Sequence, residues 1–249
     1  MSDFTPFHAV HAAALAAVAS LTALAVRTGR ARAARASGRA RETVFALLTN
    51  AGWLVHAAGR ALARPFDAGS AFPLALCEIT ALILPVAILT RRRALVNIVY
   101  FWGLGLCAQG LLTPVLHSGP DTIEFWTFWY AHGAIVGTAI YFVMVDRYRP
   151  TWRDWRFAVG AGLTYVAIVF SIDVRWGLDY GFLGDSLPDQ HSVLDVLGPW
   201  PLRVVMMSVF AISLFAVLML PWQMRHLARA RVTTGAMEVV SSSSDSREG

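Results

Sequence analysis

The sequence predicts an all-α fold, a polytopic membrane protein with seven transmembrane helices, an outside N-terminus and a cytoplasmic C-terminus. Three observations lead to this prediction: an apolar composition, seven apolar stretches of bilayer length and an uneven distribution of arginine. Hydrophobic residues make up 56% of the 249-residue chain, and its mean hydropathy is +0.53. Soluble domains contain roughly 45–50% apolar residues, so the composition favours a membrane protein.

Seven stretches have the length and character of membrane spans, because a bilayer core of about 30 Å requires about 20 mostly apolar residues per helix. They are residues 7–26, 43–63, 72–90, 94–115, 123–145, 156–174 and 202–222. No basic segment precedes the first stretch, so we expect a retained helix and not a cleaved signal peptide. We expect a seven-helix domain over residues 1–231 and a disordered, serine-rich cytoplasmic tail over residues 232–249.

Arginine is concentrated in alternate connections between the predicted helices. All 21 basic residues are arginines, and most fall in the first, third and fifth connections or in the tail. The exceptions are Arg60, Arg64, Arg175 and Arg203. Because basic loops stay on the cytoplasmic side of a membrane, this asymmetry predicts the orientation given above and a multi-pass protein of the inner (plasma) membrane.

Composition also argues against several functions. The formal charge of +5 and the isoelectric point near 9.8 would suit nucleic acid, but membrane topology accounts for the arginines, so we expect no nucleic-acid partner. The chain contains no lysine, which excludes retinal bound as a lysine Schiff base. Cys77 and Cys107, the two cysteines, are too few for a disulfide scaffold.

Polar side chains within the predicted helices lie at similar depths. A helix rises about 1.5 Å per residue, which places most of the ionisable and amide groups in the outer half of the bilayer. They are Cys77, Glu78, His56, Cys107, Gln109, His132, His8, His11 and Asp173. Such groups are costly in hydrocarbon and mark functional cavities. Their common depth predicts one polar cavity open to the outer side or the outer leaflet.

Cys77 and His132 are the candidate catalytic pair. A nucleophilic cysteine reacts as the thiolate, which burial disfavours, so a base must lie close to it. A neutral imidazole can take the thiol proton and later return it to a leaving group. His132 lies in FWTFWYAHGAI, where Gly133 permits close helix approach. The alternatives are a small buried hydrophobe at Cys77 and a packing histidine at His132.

Further side chains are candidates for binding substrate. They are Glu78, His56, Gln109, Trp126, Trp129 and Asp173. Gln109 shares a helix face with Thr113 and could donate a hydrogen bond to a developing oxyanion, or it could join two helices. Glu78 either orients a histidine or stays protonated and hydrogen-bonds. The two tryptophans would line the acyl or headgroup region, or form an interfacial belt.

A metal site has weaker support. His8 and His11 lie one turn apart and, with His56 or Glu78, could bind a transition metal. No HxH or HxxxH pair is present. We therefore expect neither a metal nor a cofactor.

Several stretches resemble the YwaF family of bacterial integral membrane proteins. They are FPLALC, FWGLGLCAQGLLTPVL, FWTFWYAHG, DRYRPTW and SVLDVLGPWP. That family is similar to a eukaryotic multi-spanning acyltransferase, transmembrane protein one-six-four, which moves fatty acyl chains onto lysophospholipids and is thought to use a Cys/His pair. The resemblance covers about residues 4–222 and implies that Cys77 and His132 are that pair.

The sequence departs from the family pattern at two places. Ala75 stands where the family usually has a histidine, two residues before the cysteine. Asp173 and Asp179 stand where asparagines are usual near the sixth helix. The resemblance implies that a secondary base or hydrogen bond is missing, and that the two acids supply a different orienting group or favour a cationic ligand.

The leading hypothesis is an integral membrane acyltransferase that moves acyl chains between membrane lipids in an outer-leaflet cavity. Cys77 would form the thioester, His132 would act as base and then acid, and Gln109 would assist the oxyanion. The expected partners are membrane lipids. One rival is a transporter or binding protein for a small polar solute, and a second is a structural membrane protein without chemistry.

Overall fold

The computed structural model of the protein is helical throughout the part of the chain that it describes, which comprises residues 5–33, 39–62, 72–116, 118–185 and 196–245. Side chains are described in these ranges except at residues 32–33, 39–42, 56, 60–61 and 225–245. The described residues form no β-strand. The all-α prediction is therefore confirmed.

Seven helices within the described ranges correspond to the seven apolar stretches. They are α1 (Ala9–Ala33), α2 (Arg39–Leu62), α3 (Leu76–Thr90), α4 (Arg93–Leu112), α5 (Ile123–Met144), α6 (Trp152–Trp176) and α7 (Leu202–Asp245). Four of them, α1, α4, α6 and α7, contain segments long and apolar enough to cross a membrane. This agrees with a multi-pass membrane protein. The seven-span count, the orientation and the limits of the tail stay predictions.

Helix α4 lies at the centre of the bundle. In its most apolar segment 61% of the residues are buried, against 11% for α1 and 17% for both α6 and α7. It contacts α3, α5, α6 and α7. Its path is interrupted by a π-helical turn at Gly103–Cys107, after which Ala108–Leu112 complete the helix. Because π turns contain an extra residue and often occur at functional sites, the turn indicates a candidate functional region at the end of α4.

Two glycines on α5 allow α1 to pack closely against it. A Cβ on Gly133 would lie 3.0 Å from Val18, and one on Gly137 would lie 2.9 Å from the Thr22 hydroxyl. Small residues four apart are a common solution to helix packing in membranes, where van der Waals contact replaces the hydrophobic effect. The prediction of close approach at Gly133 is confirmed.

Helices α3 to α6 run alternately up and down, so their eight termini form two sets. The arginine end contains the end of α3, the start of α4, the end of α5 and the start of α6. Here Arg93 Nε donates to Asp154 Oδ1 at 3.0 Å, and Asp154 Oδ2 accepts from the Thr151 amide and hydroxyl at 2.8 and 2.7 Å. A second ion pair joins Arg91 to Asp146 at 3.0 Å. These contacts fasten the α3–α4 turn to the α5–α6 connection.

Candidate functional site

A cavity of about 920 Å³ occupies the opposite end of the bundle, which we call the cavity end. Its walls are mainly aliphatic and aromatic side chains from α2 to α7. Polar groups interrupt these walls at a limited number of positions. They are Cys77, Glu78, Cys107, Gln109, Thr113, Glu124, Thr127, His132, Tyr165, Asp179, Tyr180 and Ser208. A cavity of this size with few polar groups is typical of a small-molecule or lipid site.

Cys77 lies at the second residue of α3 and lines the cavity. The predicted span begins at residue 72, but the helix begins at Leu76, because the preceding residues are not helical. The Leu74 amide donates to the Phe72 carbonyl at 2.9 Å, which closes a tight turn at Pro73, and Ala75 is extended, with φ −65° and ψ 144°. Pro73 also disfavours helical geometry at Phe72, the residue before it, and donates no hydrogen bond. The first turn of a helix carries partial positive charge, which favours a thiolate at this position.

The non-helical segment before Cys77, residues 72–75, is held by three side chains. The Phe72 amide donates to the Tyr180 hydroxyl at 3.0 Å. The Tyr165 hydroxyl donates to the Leu74 carbonyl, also at 3.0 Å. The Ala75 amide donates to Glu78 Oε2 at 3.1 Å. Non-helical backbone within a membrane protein requires such partners, because hydrocarbon supplies none.

His132 projects from α5 into the same cavity, with its protonation pattern set by a neighbour. Its Nδ1 lies 3.0 Å from the Phe128 carbonyl oxygen. A carbonyl oxygen can only accept, so Nδ1 carries the proton and Nε2 is the basic nitrogen of the neutral ring. A Cβ on Gly110 would come within 2.8 Å of His132 Nε2. The absence of a side chain at Gly110 thus makes room for the imidazole.

Gln109 and Cys107 reach the cavity from the end of α4. Gln109 lines the cavity, and its Nε2 donates to the Gly105 carbonyl oxygen at 3.5 Å, a long hydrogen bond. Cys107 is buried beside the Thr80 hydroxyl. Both cysteines are free thiols. The structure therefore places Cys77, His132 and Gln109 around the same cavity.

Comparison with known proteins identifies the family. The TMEM164 family matches residues 4–219. The chain belongs to the TMEM164 family. No curated protein and no solved structure matches it. The family match supports the broader relationship expected from the motifs.

The remaining predicted binding residues of this TMEM164-family protein lie elsewhere. Trp126 is exposed and donates from Nε1 to the Pro120 carbonyl at 2.9 Å. Trp129 is buried against the His11 ring. Asp173 is buried at the end of α6, near the Tyr180 backbone amide and the Asp179 carboxyl group. None of these three predicted residues is among the described residues that line the cavity. The His56 side chain lies outside the described residues.

The histidines considered for a metal are arranged differently from that hypothesis. His11 Nδ1 accepts a hydrogen bond from the Phe7 amide at 2.9 Å, so its Nε2 donates to the Leu111 carbonyl at 2.8 Å. The ring thereby joins the start of α1 to the end of α4. Within the described part of the chain, no group of three or more His, Cys, Asp or Glu side chains is placed to hold a metal ion.

Several cavity residues were missed by sequence reasoning. Tyr165, Tyr180 and Trp53 line the cavity from α6, the turn that follows α6, and α2. Trp53 and Tyr165 are aromatic residues in apolar stretches, where sequence alone does not distinguish a lipid-facing from a cavity-facing position. Tyr180 lies in a connection, where no motif marks it. Asp179 was singled out by the departure from the family pattern, and it lines the cavity.

Proposed function

We propose that this TMEM164-family protein transfers fatty acyl chains between membrane lipids, with Cys77 as the nucleophile and His132 as the general base. The observation that carries this proposal is their common cavity of about 920 Å³, in which Cys77 lies at a helix N-terminus and His132 has a basic Nε2. The apolar walls suit an acyl chain. The resemblance noted in the sequence points to the same two residues.

The first half of the reaction forms a thioester. Cys77 gives its proton to His132 Nε2, and the sulfur attacks the ester carbonyl of a phospholipid. The carbonyl oxygen becomes an oxyanion, which the Gln109 amide is available to stabilise. As the carbon–oxygen bond breaks, the protonated imidazole gives its proton to the departing oxygen. A lysophospholipid leaves, and the acyl chain remains on Cys77.

The second half transfers that acyl chain to an acceptor. His132 takes the proton from the hydroxyl of a second lysolipid, whose oxygen attacks the thioester carbonyl. The tetrahedral intermediate expels the Cys77 thiolate, which recovers the proton from His132. The sequence of steps predicts ping-pong kinetics and requires no cofactor.

The charge of the cavity bears on the acyl donor. Glu78, Glu124 and Asp179 line it, and no arginine is among its described lining residues. Negative charge around a site disfavours a highly anionic donor such as acyl-CoA. Together with the predicted outward orientation, this favours a phospholipid as donor.

The proposal is tested with purified protein in nanodiscs that contain a phospholipid with an isotopically labelled acyl chain and an unlabelled lysophospholipid. Cys77→Ser and His132→Gln should abolish label transfer measured by mass spectrometry. Cys107→Ser is the matched control and should retain it, because Cys107 is a buried thiol beside Thr80. Hydroxylamine should release labelled acyl chain from the wild type but none from Cys77→Ser.

Two outcomes would overturn the proposal. Equal transfer by wild type and Cys77→Ser would exclude a thioester, and no transfer by wild type across phospholipid classes would favour the binding or transport alternative. In the latter case a labelled solute retained by wild type and by Cys77→Ser alike would identify the cavity as a binding site.

A further inference from the structure

We propose that Tyr165 and Tyr180 are positioning residues, which hold the segment before Cys77 so that its thiol stays at the cavity wall. This inference rests on the proposed role of Cys77 as nucleophile. We call the pair the tyrosine clamp. Neither residue is suggested by any sequence motif.

The clamp connects two distant parts of the chain to one short segment. Tyr165 comes from α6 and donates to the Leu74 carbonyl at 3.0 Å, and Tyr180 comes from the turn after α6 and accepts from the Phe72 amide at 3.0 Å. Both tyrosines are buried, with 8% and 2% of their surface exposed. Within three residues, one hydroxyl thus accepts from a backbone amide and the other donates to a backbone carbonyl.

The position of Tyr165 is itself constrained on two sides. Its ring packs against Trp102 of α4, with ring centroids 5.9 Å apart. Gly181 lies against its hydroxyl, because a Cβ there would come within 2.6 Å of the oxygen. Gly181 has φ +65°, a conformation that glycine adopts without strain. The hydroxyl therefore has little freedom to leave Leu74.

Position matters more for Cys77 than for an ordinary buried residue. Its thiolate depends on the first-turn amides of α3, and such helix-terminus effects fall off within one turn. A segment released from the clamp would let the first turn fray, which weakens that stabilisation. Glu78 accepts from the Ala75 amide, a different backbone group from the two that the tyrosines bind.

Other titratable groups also surround this site, and their contributions must be held constant in any test. They are Glu78 on α3, Cys107 on α4, His132 on α5, Asp173 on α6, and Asp179 in the turn after α6. Replacing tyrosine with phenylalanine changes none of them. The phenylalanine variants therefore isolate the hydroxyl groups.

The test measures Cys77 directly and needs no lipid substrate. In a Cys107→Ala background Cys77 is the single cysteine, since the chain has two. The rate of alkylation by N-ethylmaleimide is followed by intact mass between pH 6 and 10. Tyr165→Phe and Tyr180→Phe should each move the midpoint of the pH profile upward and slow alkylation at pH 7 by about threefold to tenfold, the usual effect of one lost hydrogen bond.

Tyr130→Phe is the matched control. Its hydroxyl also donates to a backbone carbonyl, that of Leu48, but Tyr130 lies outside the described cavity lining. It should lower the unfolding temperature without changing the alkylation midpoint. A change in reagent access alters the high-pH plateau and not the midpoint, so the two effects are separable.

The clamp is overturned if Tyr165→Phe and Tyr180→Phe give the same midpoint as Tyr130→Phe, even when all three lower the unfolding temperature. Should either variant fail to fold, Gly181→Ala provides a second test, because it retains both hydroxyls while displacing that of Tyr165. An unchanged midpoint in folded Gly181→Ala would also overturn the clamp.

Failure of the clamp and failure of the proposed function are distinguishable. If the clamp is correct and Cys77 is the nucleophile, Tyr165→Phe lowers kcat for lipid transfer and leaves KM unchanged. A shifted alkylation midpoint together with normal transfer by Cys77→Ser would retain the clamp and remove Cys77 as the nucleophile. A shifted midpoint together with no transfer by wild type would retain the clamp and remove the acyltransferase function.

Discussion

The arginine end and the cavity end of the bundle use polar side chains in opposite ways. At the arginine end Asp154 accepts from Arg93 and from both the amide and the hydroxyl of Thr151. At the cavity end Cys77, Gln109 and His132 all border one open volume. Polar groups at the first end are bonded to one another, which fixes the helices. Those at the second border a volume of about 920 Å³, while the backbone beside Cys77 is held by Tyr165 and Tyr180.

The largest expected effect is loss of stability at the arginine end. Asp154→Ala should lower the free energy of unfolding by about 3 kcal/mol, because it removes charge-assisted hydrogen bonds and a helix cap together. Thermal unfolding in detergent measures the change. Asp154→Asn should recover part of it. If the loss instead appeared mainly as slower Cys77 alkylation in folded protein, the division between the two ends would be wrong.

A smaller effect, confined to activity, is expected where α4 meets His132. Gly110→Ala should reduce acyl transfer by about tenfold, or about 1.4 kcal/mol of activation free energy, because a Cβ would lie 2.8 Å from the imidazole. Gly137→Ala is a matched control, since its Cβ would lie 2.9 Å from Thr22, away from the cavity. Acyl transfer is measured for both folded variants. An equal loss of activity in the two would show that the effect is not specific to the space around His132.

The ion pair between Arg91 and Asp146 should contribute less. About 29% and 27% of the two side chains is exposed, and partly exposed pairs contribute about 0.2–1 kcal/mol. Arg91→Gln should lower stability by that amount at low salt and by less at high salt, where screening weakens the pair. The Arg91 guanidinium also lies over the Phe142 ring, 5.2 Å from its centroid. Unfolding is measured at two salt concentrations, and a salt-independent loss would mean that this ring contact contributes more than the ion pair.

The smallest change should be a gain. Burial raises the pKa of Tyr148, and its hydroxyl makes no hydrogen bond to the residues that the structure describes. Tyr148→Phe should therefore stabilise the protein by about 0.5 kcal/mol at neutral pH, because it removes an unbonded hydroxyl. A measured loss would show that the hydroxyl has a partner after all.

The same residue gives a pH dependence. An unfolded tyrosine ionises near pH 10, whereas folded Tyr148 keeps its proton to higher pH. Ionisation of Tyr148 therefore leaves stability unchanged below about pH 10, and stability falls as the pH rises further, because the unfolded state loses its proton before the folded state does. Unfolding measurements from pH 8 to 11 should show a shallower alkaline decline in Tyr148→Phe than in wild type.

The sequence predicted the helices better than their polar connections. Apolar length placed α5 at 123–145, close to the observed Ile123–Met144, because bilayer thickness and helix rise leave little freedom. It placed the start of α3 at residue 72 instead of Leu76, since hydropathy does not detect the tight turn at Pro73. A helix boundary that depends on the conformation of a single turn cannot be predicted from hydropathy alone.

The candidate site was predictable in part, for a related physical reason. Cys77, Gln109 and His132 could be proposed from depth and chemistry, because polar groups are rare in apolar stretches. Tyr165 and Tyr180 could not, since sequence does not tell whether a tyrosine in a membrane helix or in the connection after it faces lipid, a cavity or another backbone. Their role depends on hydrogen bonds between residues about 90 to 110 positions apart, which no periodicity reveals.

The π-helical turn at Gly103–Cys107 determines which residues at the end of α4 face His132. One extra residue rotates everything after it by about 100° around the helix axis. Deleting a single codon within this turn would leave a continuous apolar helix, yet Gln109 and Gly110 would turn away from His132. An insertion or deletion of one residue in this turn would therefore abolish function at the site, although the hydrophobic profile of the helix would stay nearly the same.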